Sequence, residues 1–231
     1  IIGGVTQLER LELKDGYLFK NNIFDGGIKG TFEYNDSYDQ SLNINVSNNS
    51  ILNSSINDRL LLYAESDIDE PVYFSNNLIS GNSSPYYIEI GSVWGWSNTN
   101  LGFSQNNIVN NSGFYIKAPT NDHSVENNYW NSVIESDIQS LIFDWSDDSD
   151  LGFLDYDPWL SSPDTDAPIS PPNNVIAQSS GNDVVLTWDA NPELDLVGYK
   201  IYYGNYTGYS YSNSIDVGDV NTYTLSGVNI D

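Results

Sequence analysis

A six-residue phrase recurs five times in the first 130 residues: an apolar residue, any residue, Asn-Asn (once Gln-Asn), any residue, and a second apolar residue. The copies are Phe19-Lys20-Asn21-Asn22-Ile23-Phe24, Val46-Ser47-Asn48-Asn49-Ser50-Ile51, Phe74-Ser75-Asn76-Asn77-Leu78-Ile79, Phe103-Ser104-Gln105-Asn106-Asn107-Ile108 and Val125-Glu126-Asn127-Asn128-Tyr129-Trp130. The second Asn of each copy (Asn22, Asn49, Asn77, Asn106, Asn128) follows the last by 27, 28, 29 and 22 residues, and the flanking apolar positions keep step. Self-similarity at this period is the mark of a solenoid. Apolar and polar residues alternate around each Asn pair, which indicates short strands joined by tight bends; a helical repeat would space its apolar residues three and four apart. The expected fold is therefore all-β, a parallel β-helix. Stacking would align the five Asn residues so that their amides donate and accept along the stack. Phe19, Val46, Phe74, Phe103 and Val125 would form one inward column, and Phe24, Ile51, Ile79, Ile108 and Trp130 another.

Between the phrases, Ile28 to Tyr34, Arg59 to Ala64, Tyr86 to Ile90 and Phe114 to Lys117 alternate as further strands, and longer polar turns such as 35–40, 65–71 and 94–100 connect them. The pattern breaks after the fifth phrase. Ser132 to Ile142 predicts a capping helix, with Ser132 and Glu135 in capping-box spacing and Ile134, Ile138, Leu141 and Ile142 on one stripe. Such a helix would close the end of the stack, which otherwise exposes unpaired strands.

The closing segment carries a family resemblance. Asn127-Asn128-Tyr129-Trp130, the helix, Phe143-Asp144-Trp145-Ser146-Asp147-Asp148 and Asp155-Tyr156-Asp157-Pro158-Trp159-Leu160 together resemble the C-terminal closure of right-handed parallel β-helix proteins with pectate-lyase-like (PbH1) repeats. The resemblance spans residues 1–160. It implies a secreted or cell-surface location and a polysaccharide-related role, but supplies no active site of its own. Residues 161–173 read as a Pro-rich linker. In residues 174–231, Val184-Val185-Leu186-Thr187-Trp188 and Asp195 to Tyr203 resemble two strands of a fibronectin type III sandwich, with Trp188 and Tyr199 inward and Tyr202 outward. That sandwich needs seven strands, so this part reads as incomplete.

Charge narrows the function. With 32 acidic against 7 basic residues the net charge is −25, and no basic face exists for a nucleic-acid backbone. No run of about 18 apolar residues is present to span a bilayer. The absence of Cys is compatible with an extracellular protein. The opening Ile1-Ile2-Gly3-Gly4 reads as the middle of a longer polypeptide, of which this would be a monomeric part.

Candidate chemistry follows from the same residues. A lyase needs a basic side chain beside carboxylates, for which Arg59 and Lys117 are the weak candidates. Asp144, Asp147, Asp148, Asp150 and Asp155 crowd one segment and suggest a Ca²⁺ site of hard oxygen ligands, though their spacing is not that of an EF-hand. His123, the single His, reads as a solvated turn residue. Tyr86, Tyr87, Trp94 and Trp96 surround one long turn and are the candidate sugar-stacking rings. The leading expectation is a non-catalytic part of a large bacterial surface protein that recognises polysaccharide or cell-surface glycan. The alternative is the C-terminal portion of a polysaccharide lyase or glycoside hydrolase.

Overall fold

The computed structural model describes residues 2–3, 6–7, 11–13, 18–34, 45–64, 72–91, 101–204 and 211–227. The chain divides into two compact units, Ile1–Pro168 and Ile169–Asp231. It is nearly all β, and the first unit is a solenoid of about four stacked parallel coils.

Three parallel sheets form the solenoid walls. Leu18–Lys20, Asn45–Ser47, Val72–Ser75 and Leu101–Ser104 make a four-stranded sheet, and Ile2–Gly3, Ile23–Asp25, Ser50–Leu52, Leu78–Ser80 and Asn107–Val109 a five-stranded one. Ile28–Tyr34, Arg59–Ala64, Tyr87–Gly91, Tyr115–Lys117 and Ile142–Phe143 run through the seven-stranded third sheet. The register aligns Phe19 with Val46, Phe74 and Phe103, and Phe24 with Ile51, Ile79 and Ile108. Both columns enter one core, in which the Phe74 and Phe103 rings lie parallel at 5.4 Å.

Each half of the Asn pair has its own task. The first residue of the pair (Asn21, Asn48, Asn76, Gln105, Asn127) adopts φ between 53° and 60°. Asn visits this left-handed region more readily than most side chains, and the resulting sharp bend turns the next residue inward. That second Asn then joins a ladder. Asn77 Oδ1 accepts both the backbone N–H (3.0 Å) and Nδ2 (3.1 Å) of Asn49, while Asn77 Nδ2 donates to the carbonyl of Val46 one coil back and to Ser75 O. Asn106 repeats this toward Asn77 and Phe74 O, and Asn128 toward Asn106 and Phe103 O.

A second ladder, not anticipated from the sequence, lines the next bend. Ser54 N donates to Asn82 Oδ1 and Asn82 N to Asn111 Oδ1, while Asn82 and Asn111 reach back to the carbonyls of Ile51 and Ile79. Here too the preceding residue (Asn53, Gly81, Asn110) has positive φ.

Two elements differ from expectation. The helix is only Glu135–Gln139, because Ile142 is drawn into the third sheet opposite Ile116 and Ile134 remains exposed. Ser132 Oγ accepts from Ile134 N and donates to Asp137, so it braces the turn before the helix without capping its first residue. In addition, the first part of the Pro-rich segment is fastened to the solenoid. Asp164 N donates to Asn107 Oδ1 at 2.8 Å and Asp164 O accepts Asn107 Nδ2 at 2.9 Å, while Asp166 O accepts from Asn48 Nδ2. Leu78, the register partner of Asn107, and Val109 form a second small cluster with Leu52, apart from the main core, and both are fully buried.

In the second unit, Ile176–Ser180, Asp183–Thr187 and Thr222–Leu225 form one antiparallel sheet, and Tyr199–Tyr203 pairs with Asn213–Gly218 in another. Trp188 packs edge-on against Tyr199 at 5.1 Å, and Tyr202 is exposed.

Period-two parity decides the fate of Tyr86. It shares the inward face with Ile88 and Ile90, is fully buried, and donates its hydroxyl to Ile28 O at 2.6 Å. Burial, with the charge of Asp58 adding to it, pushes its phenol well above the ordinary value of 10. Unfolded chains therefore ionise near pH 10 while the folded phenol stays protonated, so the stability this group contributes is complete below pH 10 and declines as pH rises beyond it. Tyr86→Phe should cost about 1 kcal/mol at neutral pH from the lost hydrogen bond. The variant should also show a shallower fall in denaturation midpoint between pH 8 and pH 11 than the parent.

Candidate functional site

A groove of about 700 Å³ lies at the closing end of the solenoid. Its construction starts from two short parallel strands, His123–Ser124 and Leu154–Asp155, tied by His123 N to Phe153 O and Val125 N to Asp155 O. Gly152 permits this pairing: a Cβ there would collide with the backbone of Asn121 and Asp122. Gly152→Ala should therefore cost about 1–3 kcal/mol through overpacking, and near-ultraviolet circular dichroism should report altered aromatic packing in the neighbouring cap.

Ile142 and Leu154, both buried, form the apolar floor. Asp122, Glu135, Asp144, Asp155, Asp157 and Gln139 supply the polar walls, and among the described residues no Lys or Arg lines the groove. Phe153 lies on its border with Trp145 packed against it, ring centroids 5.0 Å apart and planes at 36°. Trp145 is 51% and Phe153 46% exposed. The pair is built by the chain path: Trp145 N donates to Gly152 O, and Phe153 N to Asp122 Oδ1. Tyr156 also lines the groove; burial first, then the negative charges of Glu135, Asp144 and Asp157, push its phenol upward, so it persists as a neutral hydroxyl.

The acids expected to hold Ca²⁺ are engaged otherwise. Asp144 accepts Ser146 N and Leu154 N, Asp147 accepts Asp144 N, Asp148 accepts Asp150 N, and Asp155 accepts Asp157 N. These carboxylates shape turns, in the manner of Asx motifs. Among the described residues no three His, Asp or Glu side chains converge into a metal-binding group.

The other expected residues are distributed as follows. Tyr86 is sealed in the core and unavailable to a sugar. Trp94 and Trp96 lie outside the described residues. Tyr87 faces outward from the seven-stranded sheet and stacks on Tyr115 at 5.0 Å and 10°, and Tyr115 in turn meets Phe143. His123 is buried in a strand, not solvated in a turn.

Arg59 and Lys117 do come together on the outer face of that sheet, around Glu89. Arg59 Nε meets Glu89 Oε2 at 2.6 Å and Lys117 Nζ meets Oε1 at 3.6 Å. Both cationic groups are thus turned to one carboxylate, and an ion-paired ammonium or guanidinium has no lone pair with which to take a proton. Nearby, Lys29 pairs with Asp58 at 3.1 Å; the Arg59 backbone N–H and then Lys29 hold that carboxyl below its usual range.

Sequence reasoning named Asp144 and Asp155 among the acids of the groove but missed Phe153 on its lining and Trp145 packed against that ring. Their exposure depends on a loop path that no local pattern encodes. The chain matches no family model, no curated protein and no solved structure.

Proposed function

We infer that this protein is a glycan-recognition segment of an extracellular or cell-surface protein, and that the groove closing its solenoid is the binding site. The observation that carries this reading is half-exposed Phe153 lining a groove walled by carboxylates and Gln139, with half-exposed Trp145 packed on that ring next to it. Flat rings stack on the apolar faces of sugars. Ionised carboxylates are pure acceptors, matched to the donor hydroxyls of a sugar. The volume falls within the roughly 300–1,000 Å³ range of small-ligand sites. Because no cation among the described residues lines the groove and the whole chain carries −25, a uronate or sulfated polymer is repelled and a neutral glycan is the matching class.

The finer architecture belongs to the same reading. The stacked coils with Asn-lined bends support a right-handed β-helix of the pectate-lyase-like type. The pair of small antiparallel sheets meeting at Trp188 and Tyr199 supports a fibronectin type III-like second unit.

Affinity electrophoresis of the intact chain through gels containing xylan, mannan, β-glucan or polygalacturonate tests the function. Retardation by a neutral polymer, reduced about tenfold or more in affinity by Trp145→Ala, is expected; a tenfold change corresponds to about 1.4 kcal/mol. Trp145 is half exposed, so its removal leaves the core intact. Retardation by polygalacturonate alone, or release of unsaturated product absorbing in the ultraviolet, would overturn the reading in favour of a lyase.

A further inference from the structure

We propose that Tyr87 and Tyr115 form a site of oxidative cross-linking, at which hydrogen peroxide activated by a haem peroxidase joins the two rings as dityrosine and staples neighbouring coils of the solenoid. The two residues are register partners on the parallel strands Tyr87–Gly91 and Tyr115–Lys117. Strands so paired lie about 4.8 Å apart, and side chains that leave them at one register point the same way. The rings accordingly stack with centroids 5.0 Å apart and planes at 10°, which sets hydroxyl beside hydroxyl and ortho carbon beside ortho carbon. Both residues are half-buried on the outer face, within reach of an oxidant and held against each other. Phe143 meets Tyr115 on its far side at 5.3 Å, and Arg59 is the register partner of Tyr87 on the opposite coil. Neither of these is a phenol, so the reaction ends with one bond. This face lies outside the closing groove, and the inference does not depend on the glycan reading.

Composition directs the chemistry to this pair. The sequence holds 17 Tyr and neither Cys nor Met, so it has no sulfur to intercept the oxidant and no disulfide as an alternative covalent tie. Among the described residues Tyr87 and Tyr115 are the one stacked pair of phenols; Tyr86 and Tyr156 meet Phe114 and Trp159 instead. Each phenol gives up one electron and one proton, and the two radicals bond through their ortho carbons. The hydrogen left on each of those carbons then moves to the phenolic oxygen as the rings regain aromaticity. The two electrons and two protons removed reduce one hydrogen peroxide to two waters, and the protein ends two hydrogens lighter. A pair held in place reacts at an effective concentration of order millimolar or more, so at micromolar protein the bond within one molecule outpaces one between molecules by about a hundredfold or more.

The test treats the intact chain with hydrogen peroxide and a haem peroxidase, isolates the monomer, and reads dityrosine by its blue fluorescence and by mass spectrometry of the denatured digest. The expected product is one joined pair of peptides, carrying Tyr87 and Tyr115 and two hydrogens lighter than their sum, formed at a rate per molecule that does not change with protein concentration. Tyr87→Phe and Tyr115→Phe keep the ring stack but lack a phenol, and each should remove most of the monomer's dityrosine. Tyr73→Phe, at an exposed phenol outside the stack, should leave it unchanged. The cross-linked monomer should also unfold at higher urea than the parent, because the bond restricts the unfolded chain. A monomer without dityrosine, or dityrosine confined to oligomers, overturns the proposal. So do joined peptides that lack either residue, or a Tyr87→Phe monomer that couples as well as the parent.

Discussion

Replacing Asn77 by Ala is expected to remove about 3–6 kcal/mol from the stability of the solenoid unit. Asn77 is fully buried in the middle of the ladder. Its Oδ1 is the acceptor for the backbone N–H and the Nδ2 of Asn49, and its Nδ2 serves Val46 O and Ser75 O. Ala leaves these groups without their partner in a site too tight for easy relaxation, and each orphaned buried group costs about 1–3 kcal/mol. Against a total stability of roughly 5–15 kcal/mol for a domain, this is enough to unfold a large fraction of the molecules. The control is one residue away. Asn76 has φ 53°, and its side chain makes only a long 3.5 Å contact with Asp164. Asn76→Gly keeps the bend, since Gly adopts positive φ freely, and should stay within about 1 kcal/mol of the parent. Urea denaturation followed by far-ultraviolet circular dichroism reads both; equal losses at the two positions would show that the bend, not the amide ladder, holds the coils.

Phe103→Ala is expected to cost about 3–5 kcal/mol, the range for truncating a buried aromatic. Phe103 is 1% exposed and lies parallel to Phe74, so a cavity forms and a stacking contact worth about 0.5–1.5 kcal/mol is lost as well. Phe103→Leu retains most of the volume and should cost markedly less. A loss below about 1 kcal/mol for the Ala variant would mean that the inward column is not closely packed.

Much of the first unit was legible because a solenoid writes its register into the sequence. Asn22, Asn49, Asn77, Asn106 and Asn128 keep one chemical identity at intervals of 22 to 29 residues, so their stacking was readable from the sequence. The second ladder hid because its bend alternates Asn53, Gly81 and Asn110, and its rungs mix Ser54 with Asn82 and Asn111. Different residues satisfy the same φ and the same acceptor geometry there, and a pattern search sees no repeat. The helix was overextended because Ile142 fits a helical stripe as well as a strand, and pairing with Ile116 decided the matter. The strand Asn213–Gly218 opens on polar residues and has too short an alternation to stand out.

The site was less legible than the fold. Asp144 and Asp155 were noticed for their charge, yet the structure uses their oxygens on backbone N–H groups, which sequence proximity cannot distinguish from metal ligation. Tyr86 was taken for a sugar-stacking ring although its parity with Ile88 and Ile90 places it inward, where it is fully buried. Trp145 and Phe153 were not readable as a pair, because their meeting depends on Gly152 and Asp122 bending the closing loop back onto the solenoid.

Hydrogen exchange across the intact chain, measured with and without each of xylan, mannan and β-glucan, tests the functional account most directly. The expected result is slowed exchange in segments 121–126 and 143–157 with at least one of these neutral polymers, and no change in 87–91 or 115–117. Exchange unaltered by every polymer, or slowed on the Tyr87–Tyr115 face in place of the closing groove, would contradict it.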